Sequence, residues 1–312
     1  MLKAVFYSLA FCALVLAGDR CVNFAAGRLM ARSRNSFVQM YEGKCRADAL
    51  LLGNSRMDRN CDAKELERRT GQRALNLGLG GNHTRICEAL FLDYIDRYGP
   101  PQLLVLELTQ CVDSPDSMGE MMIFTRYSSR MRSLAQELDP KFMTFQSIFK
   151  SLRYNNDTFW RLASEAVKPP SPRQLAKVMP REEMERWKQA RPSAWPAVPE
   201  NIKALNRLLK AAKDSGVEVR LIIAPMWCGY KAKIENFDTW KTEMAKHIGE
   251  QRIWDYSDLF ADEVACFNDG NHLNALGAKR FSEVLIADGV IRGATTAAHA
   301  LPSGKPVHGG MP

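Results

Sequence analysis

The run Ala49-Leu50-Leu51-Leu52 constrains the fold more than any other stretch. It is apolar at every position, so it lacks the alternation of a strand with one wet face and predicts a strand buried on both. The rest of the chain agrees with such a strand. Short extended segments are expected at 73–77, 103–108, 217–224 and 252–256. Helices are expected between them, at 62–69, 84–98, 238–248 and 275–287. A further helix starts near Glu200, where Ile202, Leu205, Leu208 and Leu209 form one apolar stripe that Gly216 ends. Alternation of this kind predicts an α/β domain built on a parallel sheet with right-handed crossovers.

The pattern breaks over residues 111–199, where no strand is apparent. Met- and Arg-rich helical stretches there give way to Pro169, Pro170, Pro172, Pro180, Pro192, Pro196 and Pro199. The segment reads as a mostly helical insertion over the sheet edge, within an α/β domain at 47–290. Long insertions of this kind carry substrate contacts or lids. Its Trp160, Trp187 and Trp195 suit either core packing or stacking on sugar rings.

With 312 residues, 46% of them hydrophobic and 25% charged, the chain can bury a sizeable core. The net charge of +8 reads as a solvated basic surface, or one that meets anionic polysaccharide or a membrane. Without a dense Lys/Arg block interleaved with aromatics, nucleic acid is not an expected partner.

Residues 4–18 carry no charge and follow Lys3. They suit a signal-peptide core with Val15-Leu16-Ala17 as its cleavage site, or an uncleaved anchor within residues 1–20. Arg20, Arg28, Arg32 and Arg34 lie beyond the run, which argues against a simple anchor with its N-terminus inside. Export to the periplasm or another extracytoplasmic space is expected, with or without attachment to the inner membrane. Residues 21–46 read as a helix or connector, and 291–312, rich in Gly, Ala, Pro and His, as a disordered tail. The eight cysteines have no zinc spacing. Cys228 and Cys266 follow neighbouring strands and form a candidate disulfide; most of the others read as small buried hydrophobes.

Every strand of a parallel sheet ends at the same edge, so distant loops converge there. Ser55, Gly81, Gln110 and the segment from Asp269 to His272 are all expected at that edge. Ser55 sits where the first strand turns into a helix, so its hydroxyl clears the sheet and the helix N-terminus favours nearby negative charge. Asp269 and His272 are three residues apart. That spacing lets the carboxylate fold back to imidazole Nδ1 and leaves Nε2 free to face Ser55. A serine hydroxyl needs such a base to attack an acyl carbon near neutral pH. Backbone N–H groups of Ser55 and Gly81 would stabilise the oxyanion that forms. Taken singly, Ser55 reads as an ordinary helix cap, and Asp269 and His272 as caps of the last helix. Together, in this order and beside a glycine loop, they read as a nucleophile, a base and an orienting acid. His83 reads as a loop residue, and His247, His299 and His308 as solvated. Arg56 is placed either to pair with a surface acid or to meet an anionic substrate.

Three blocks carry a resemblance. Gly53-Asn54-Ser55, Asn76-Leu77-Gly78-Leu79-Gly80-Gly81 and Asp269-Gly270-Asn271-His272-Leu273-Asn274-x-x-Gly277-Ala278 resemble blocks I, II and V of the SGNH/GDSL hydrolase superfamily. The likeness covers roughly residues 47–110 and 200–290, but not the insertion. Asn54 stands where the family has aspartate, and the third strand continues Glu107-Leu108-Thr109-Gln110-Cys111 where the family has G-x-N-D. The resemblance implies a flavodoxin-like three-layer sandwich with about five parallel strands. It implies Ser55, His272 and Asp269 as the triad and Gly81 as an oxyanion donor, with no metal or organic cofactor. The missing asparagine leaves the second donor open among Gln110, Asn82 and His83. The pattern is similar to a divergent branch found with membrane-bound acyltransferases of cell-envelope polysaccharide modification. It implies a polysaccharide or another acylated small substrate, with transfer of the acyl group to water (an esterase) or to a sugar hydroxyl (an O-acyltransferase). A catalytically lapsed SGNH-like fold that binds polysaccharide or a membrane acyltransferase is the alternative; a lipase or thioesterase is a third.

Overall fold

The computed structural model describes residues 1–167 and 176–292. Pro169, Pro170, Pro172 and nearly all of the expected tail lie outside the described residues, as do His299 and His308.

Five parallel strands form the sheet: β1 (Ala49–Leu52), β2 (Ala74–Asn76), β3 (Leu103–Glu107), β4 (Glu218–Ile223) and β5 (Ile253–Asp255), in the order β2-β1-β3-β4-β5. All four residues of β1 are buried, as its unbroken apolar sequence predicts. Successive side chains serve opposite faces. Leu50, Leu52, Leu104 and Leu106 join one core, and Ala49, Leu51, Leu103 and Val105 the other. Each buried leucine contributes roughly 1.5–3 kcal/mol.

The helices α1 (Leu2–Met30), α2 (Ser36–Tyr41), α3 (Ser55–Asn60), α4 (Ala63–Thr70) and α5 (Thr84–Tyr98) occupy the first third of the chain. Next come α6 (Ser129–Leu138), α7 (Pro140–Ile148), α8 (Asp157–Val167) and α9 (Arg181–Gln189). Last are α10 (Pro199–Asp214), α11 (Cys228–Lys231), α12 (Phe237–His247) and α13 (Ala275–Ala287). Ile86 and Leu90 of α5 join Leu205 and Leu208 of α10 on one face of the sheet. Met57, Leu66, Phe281 and Leu285 of α3, α4 and α13 cover the other. The result is helix, sheet, helix, with a core on each side.

Three local features differ from the sequence reading. Ser55–Asn60 is already a helix, because the Asn54 side chain accepts a hydrogen bond from the Arg56 N–H (3.0 Å) and caps it. The helix expected at 62–69 is therefore a second one, capped by Asp62. The stretch read as a loop before α13 holds a small antiparallel hairpin, β6 (Phe267–Asp269) with β7 (His272–Leu273). Its two-residue connection, Gly270-Asn271, is a hairpin turn in type. Finally, the apolar N-terminus does not stop near residue 20 but continues in one helix to Met30. By length and composition α1 is apolar enough to cross a membrane, with a mean hydropathy of 1.6 over its most apolar window.

Among its described residues the segment 111–199 is made of helices joined by irregular stretches, with one isolated bridge between Ser193 and Ile234. Its two parts go to different places. Residues 119–163 pack with α1, α2 and α5. Residues 179–195 reach the carboxyl edge of the sheet, where the Met179 N–H donates to the Phe267 carbonyl (2.7 Å). The candidate disulfide does not form: Cys228 and Cys266 are both free thiols. Cys228 heads α11 at the surface, whereas Cys266 is buried under α13 and takes a bond from Arg280 Nη1 (3.0 Å).

Candidate active site

The strand order reverses between β1 and β3, since β2 lies on one side of β1 and the later strands on the other. In open α/β sheets the carboxyl ends of the strands on either side of such a reversal are where ligands bind. Ser55 leaves β1 at this point and Gln110 leaves β3.

The helix that carries Ser55 is pinned from three directions. Asn76, at the end of β2, donates from Nδ2 to the carbonyls of Met57 (2.8 Å) and Cys61 (2.9 Å) and accepts from the Gly78 N–H (2.8 Å). Gly78 lies so close that a Cβ there would meet the Asp58 nitrogen at 2.3 Å. Asn60 accepts at Oδ1 from the Leu273 N–H (2.8 Å), tying α3 to the hairpin. Asn54 Nδ2 donates to Asp113 Oδ2 (2.7 Å) and Thr109 Oγ1 (3.3 Å), tying the start of α3 to the segment after β3. Asn54 is thus a brace.

The hairpin is held as firmly. Asn274 caps α13 by accepting from the Gly277 N–H (3.0 Å) and donates to the carbonyl of Ala265 (2.7 Å). A Cβ on Gly277 would meet the Cys266 carbonyl oxygen at 2.2 Å, so only glycine allows this approach. On this frame His272 Nε2 lies 2.7 Å from Ser55 Oγ. Its Nδ1 lies 2.9 Å from Asp269 Oδ2 and 3.0 Å from Oδ1. With Asp269 accepting at Nδ1, Nε2 remains as acceptor for the Ser55 hydroxyl. Asp269 Oδ1 also accepts from the N–H groups of Asn271 (3.1 Å) and His272 (3.0 Å), and Oδ2 from Asn268 Nδ2 (3.2 Å). Burial opposes the charge on Asp269, but the bonds from His272, Asn271 and Asn268 outweigh it and hold the carboxyl below the ordinary aspartate range.

The glycine loop divides its tasks. Gly81 has φ +74°, where glycine is strain-free, and lets the Asn82 N–H close a turn onto the Leu79 carbonyl (3.0 Å). The glycine against the nucleophile is Gly80, whose missing Cβ would stand 3.9 Å from Ser55 Cβ, while Gly81 faces open solvent. Asn82 is buried with its Nδ2 lacking a partner, and Gln110 is buried with both amide atoms lacking one, among the described residues. His83 is buried too; burial pushes its imidazole down to about 4, so it is neutral near pH 7. His247 is exposed on α12.

Arg56 is 4% exposed and, among the described residues, forms no salt bridge with a surface acid. Its guanidinium lies over the rings of Trp195 (5.2 Å) and Tyr230 (5.4 Å), and Nη2 donates to the Tyr230 hydroxyl (2.8 Å). Glu107 is fully buried and accepts from the N–H groups of Thr109 (3.0 Å) and Ala224 (3.3 Å). Burial raises the carboxyls of Glu107 and Asp113, and the Arg56 charge partly offsets this. Trp187 and Tyr230 meet edge to face (4.7 Å) against Gly270, where a Cβ would fall 2.6 Å from Trp187 Nε1. Of the three insertion tryptophans, Trp187 and Trp195 therefore stand near the edge, and Trp160 is exposed on α8.

Ser55, His272 and Asp269, expected at one edge, thus form a single hydrogen-bonded chain there. Sequence reasoning missed Gly80, Asn60 and the Arg56–Tyr230–Trp195 stack. Gly80 had a signal in the Gly80-Gly81 pair, but the partners of Asn60 and Arg56 lie more than a hundred residues away.

No protein-family model matches the chain, and no curated protein matches it. Among solved structures, one described as "a putative platelet activating factor from Streptococcus pneumonia" is similar at 14% identity and a TM-score of 0.40. The likeness covers 93% of this chain and 99% of that one. At that distance the reading of the site rests on its own geometry.

Proposed function

We propose that the chain is an exported serine acyl-enzyme of the SGNH/GDSL type, an esterase or O-acyl(acetyl)transferase acting on cell-envelope or secreted polysaccharide. One observation carries this reading: Ser55 Oγ, His272 Nε2 and Asp269 are in line at 2.7 and 2.9 Å. The strand order 2-1-3-4-5 is that of flavodoxin-like sheets, which supports it. In the reaction, Ser55 Oγ bonds to the acyl carbon as its proton passes to His272 Nε2. Asp269 steadies the imidazolium. The tetrahedral intermediate then expels the leaving oxygen, which takes the proton back from His272. Water or a sugar hydroxyl next attacks the acyl-serine, giving its own proton to His272, which passes it to Ser55 Oγ as the second tetrahedral intermediate collapses and frees the serine. The buried amides of Asn82 and Gln110, together with main chain near Gly80, are the candidate oxyanion donors.

Incubation of the purified full chain with p-nitrophenyl acetate tests this. The expected result is turnover with acetyl mass on the peptide containing Ser55, both absent in Ser55→Ala. A folded wild-type protein with neither adduct nor turnover overturns it. The sealed state of Asn82 and Gln110 favours a second reading, a lapsed fold that binds polysaccharide or a membrane acyltransferase. Glycan binding that survives Ser55→Ala and His272→Ala, without any acyl adduct, identifies that case.

A further inference from the structure

We propose that α1 stays on the folded protein as its membrane span, and that the surface made by α7 and the turn Lys150–Tyr154 rests on an anionic phospholipid bilayer beside it. The second half of α1 is part of the domain. Asp19 accepts from the N–H groups of Lys150 and Ser151 (both 2.9 Å) and from Ser151 Oγ (2.6 Å), so it caps the short helix that starts there. Arg20 donates to the Ile148 carbonyl (3.0 Å). Further along, a Cβ on Gly27 would overlap the Arg126 guanidinium, and Ala26 and Met30 enter the core.

The first half of the same helix is bare. Leu2 to Gly18 rises about 25 Å, close to the ~30 Å hydrocarbon core of a bilayer. Removal of residues 1–17 would leave Asp19, which organises the Lys150 turn, at a fraying chain end. Because α1 is unbroken, its axis fixes which face of the domain meets the membrane plane: the face next to Asp19. Large apolar side chains point outward there, Phe145 (60% exposed) and Ile148 (48%) on α7, with Val22 (56%) and Phe24 (67%) on α1. Cations gather beside them. Burial lowers the Lys150 ammonium pKa, and the nearby charges of Arg153, Arg20 and Arg132 lower it further. Asp19 is the carboxylate bonded into this group. Exposed apolar side chains with Lys150, Arg20 and Arg153 beside Ile148 match the boundary between acyl chains and anionic headgroups.

The proposal is independent of the chemistry at Ser55, and so is its test. The full chain is expressed in a bacterial host, its intact mass is measured from the membrane fraction, and it is reconstituted into nanodiscs of phosphatidylcholine with or without phosphatidylglycerol. The expected mass retains residues 1–17. Amide exchange over residues 140–153 is expected to be several-fold slower with phosphatidylglycerol than without, and the difference is lost in the Phe145→Ser/Ile148→Ser double variant. These exposed substitutions leave the melting temperature unchanged. A mature chain starting at residue 18 overturns the proposal, and so does exchange that is equal in both lipids. Protection that follows the number of chains per disc instead of the lipid also overturns it, in favour of self-association.

Discussion

The two groups of residues that the loops after the strands bring toward Ser55 are finished to different degrees. On the base side, the polar atoms of Asp269 and both ring nitrogens of His272 are bonded, and Asn60 and Asn274 hold the backbone that carries them. On the other side, among the described residues, Asn82 Nδ2 and both amide atoms of Gln110 are buried without partners, and Gln110 follows the strand that ends in the buried Glu107. The first side is assembled from fully bonded polar groups and adds to stability. The second carries a desolvation cost of about 1–3 kcal/mol for each unpaired group. Such asymmetry suits a site whose base must be oriented before substrate arrives, while its donors find their acceptor only when charge develops on the substrate.

The largest expected effect comes from the finished side. Asp269→Asn keeps the volume but removes the acceptor that fixes the His272 tautomer. On the acyl-enzyme reading, turnover of p-nitrophenyl acetate falls roughly 10⁴-fold. The hairpin also loses a charged acceptor for four N–H donors, so the melting temperature falls. Unchanged turnover in the folded variant would remove Asp269 from the mechanism.

The unfinished side should respond in the opposite sense. Asn82→Leu and Gln110→Met replace orphan amides by apolar groups of similar size, and each is expected to raise stability by about 1 kcal/mol. The variant that has lost a working oxyanion donor also loses roughly a hundred- to a thousand-fold in turnover. Steady-state kinetics and thermal melts on the same samples separate the two. If both variants are stabler and fully active, the donors lie in the main chain near Gly80, and the contrast between the two sides is one of packing alone.

What the sequence made legible follows the same division. The strand at Ala49–Leu52 was readable because burial on both faces leaves no polar position in it. The pairing of Asp269 with His272 was readable because it is local, three residues along one turn. The α3 helix was missed, although its cap Asn54 was in view, because the charged segment Arg56–Asn60 has no apolar stripe long enough to reveal it. The burial of Arg56 was not readable at all. It depends on Trp195 and Tyr230, which the topology brings together from 139 and 174 residues away. The disulfide failed for a similar reason: strand adjacency brings chain segments near, but side-chain direction decides whether two sulfurs meet.

Arg56→Met is the gentlest probe of the contrast, because it leaves His272 and Asp269 in place and keeps an unbranched side chain between Trp195 and Tyr230. Glu107 and Asp113 are raised by burial above their ordinary values of 4.5 and 3.8, against the pull of Arg56. The folded chain therefore holds protons that the unfolded chain releases, and stability falls as pH rises through the window between the two states' values. Removing the Arg56 charge raises the folded values further and widens that window upward. Each group then contributes up to about 1.4 kcal/mol per pH unit within it. Asp269 behaves in the reverse sense: its value is depressed, so its contribution is present above the unfolded value of 3.8 and lost below it. Above about pH 5 the Asp269 contribution is fully present, and any steeper loss of stability in Arg56→Met than in wild type belongs to Glu107 and Asp113. Thermal unfolding across that range should show the variant losing more than wild type as pH rises. Parallel curves would mean that Arg56 offsets neither carboxyl, and that its place between the rings is its whole contribution.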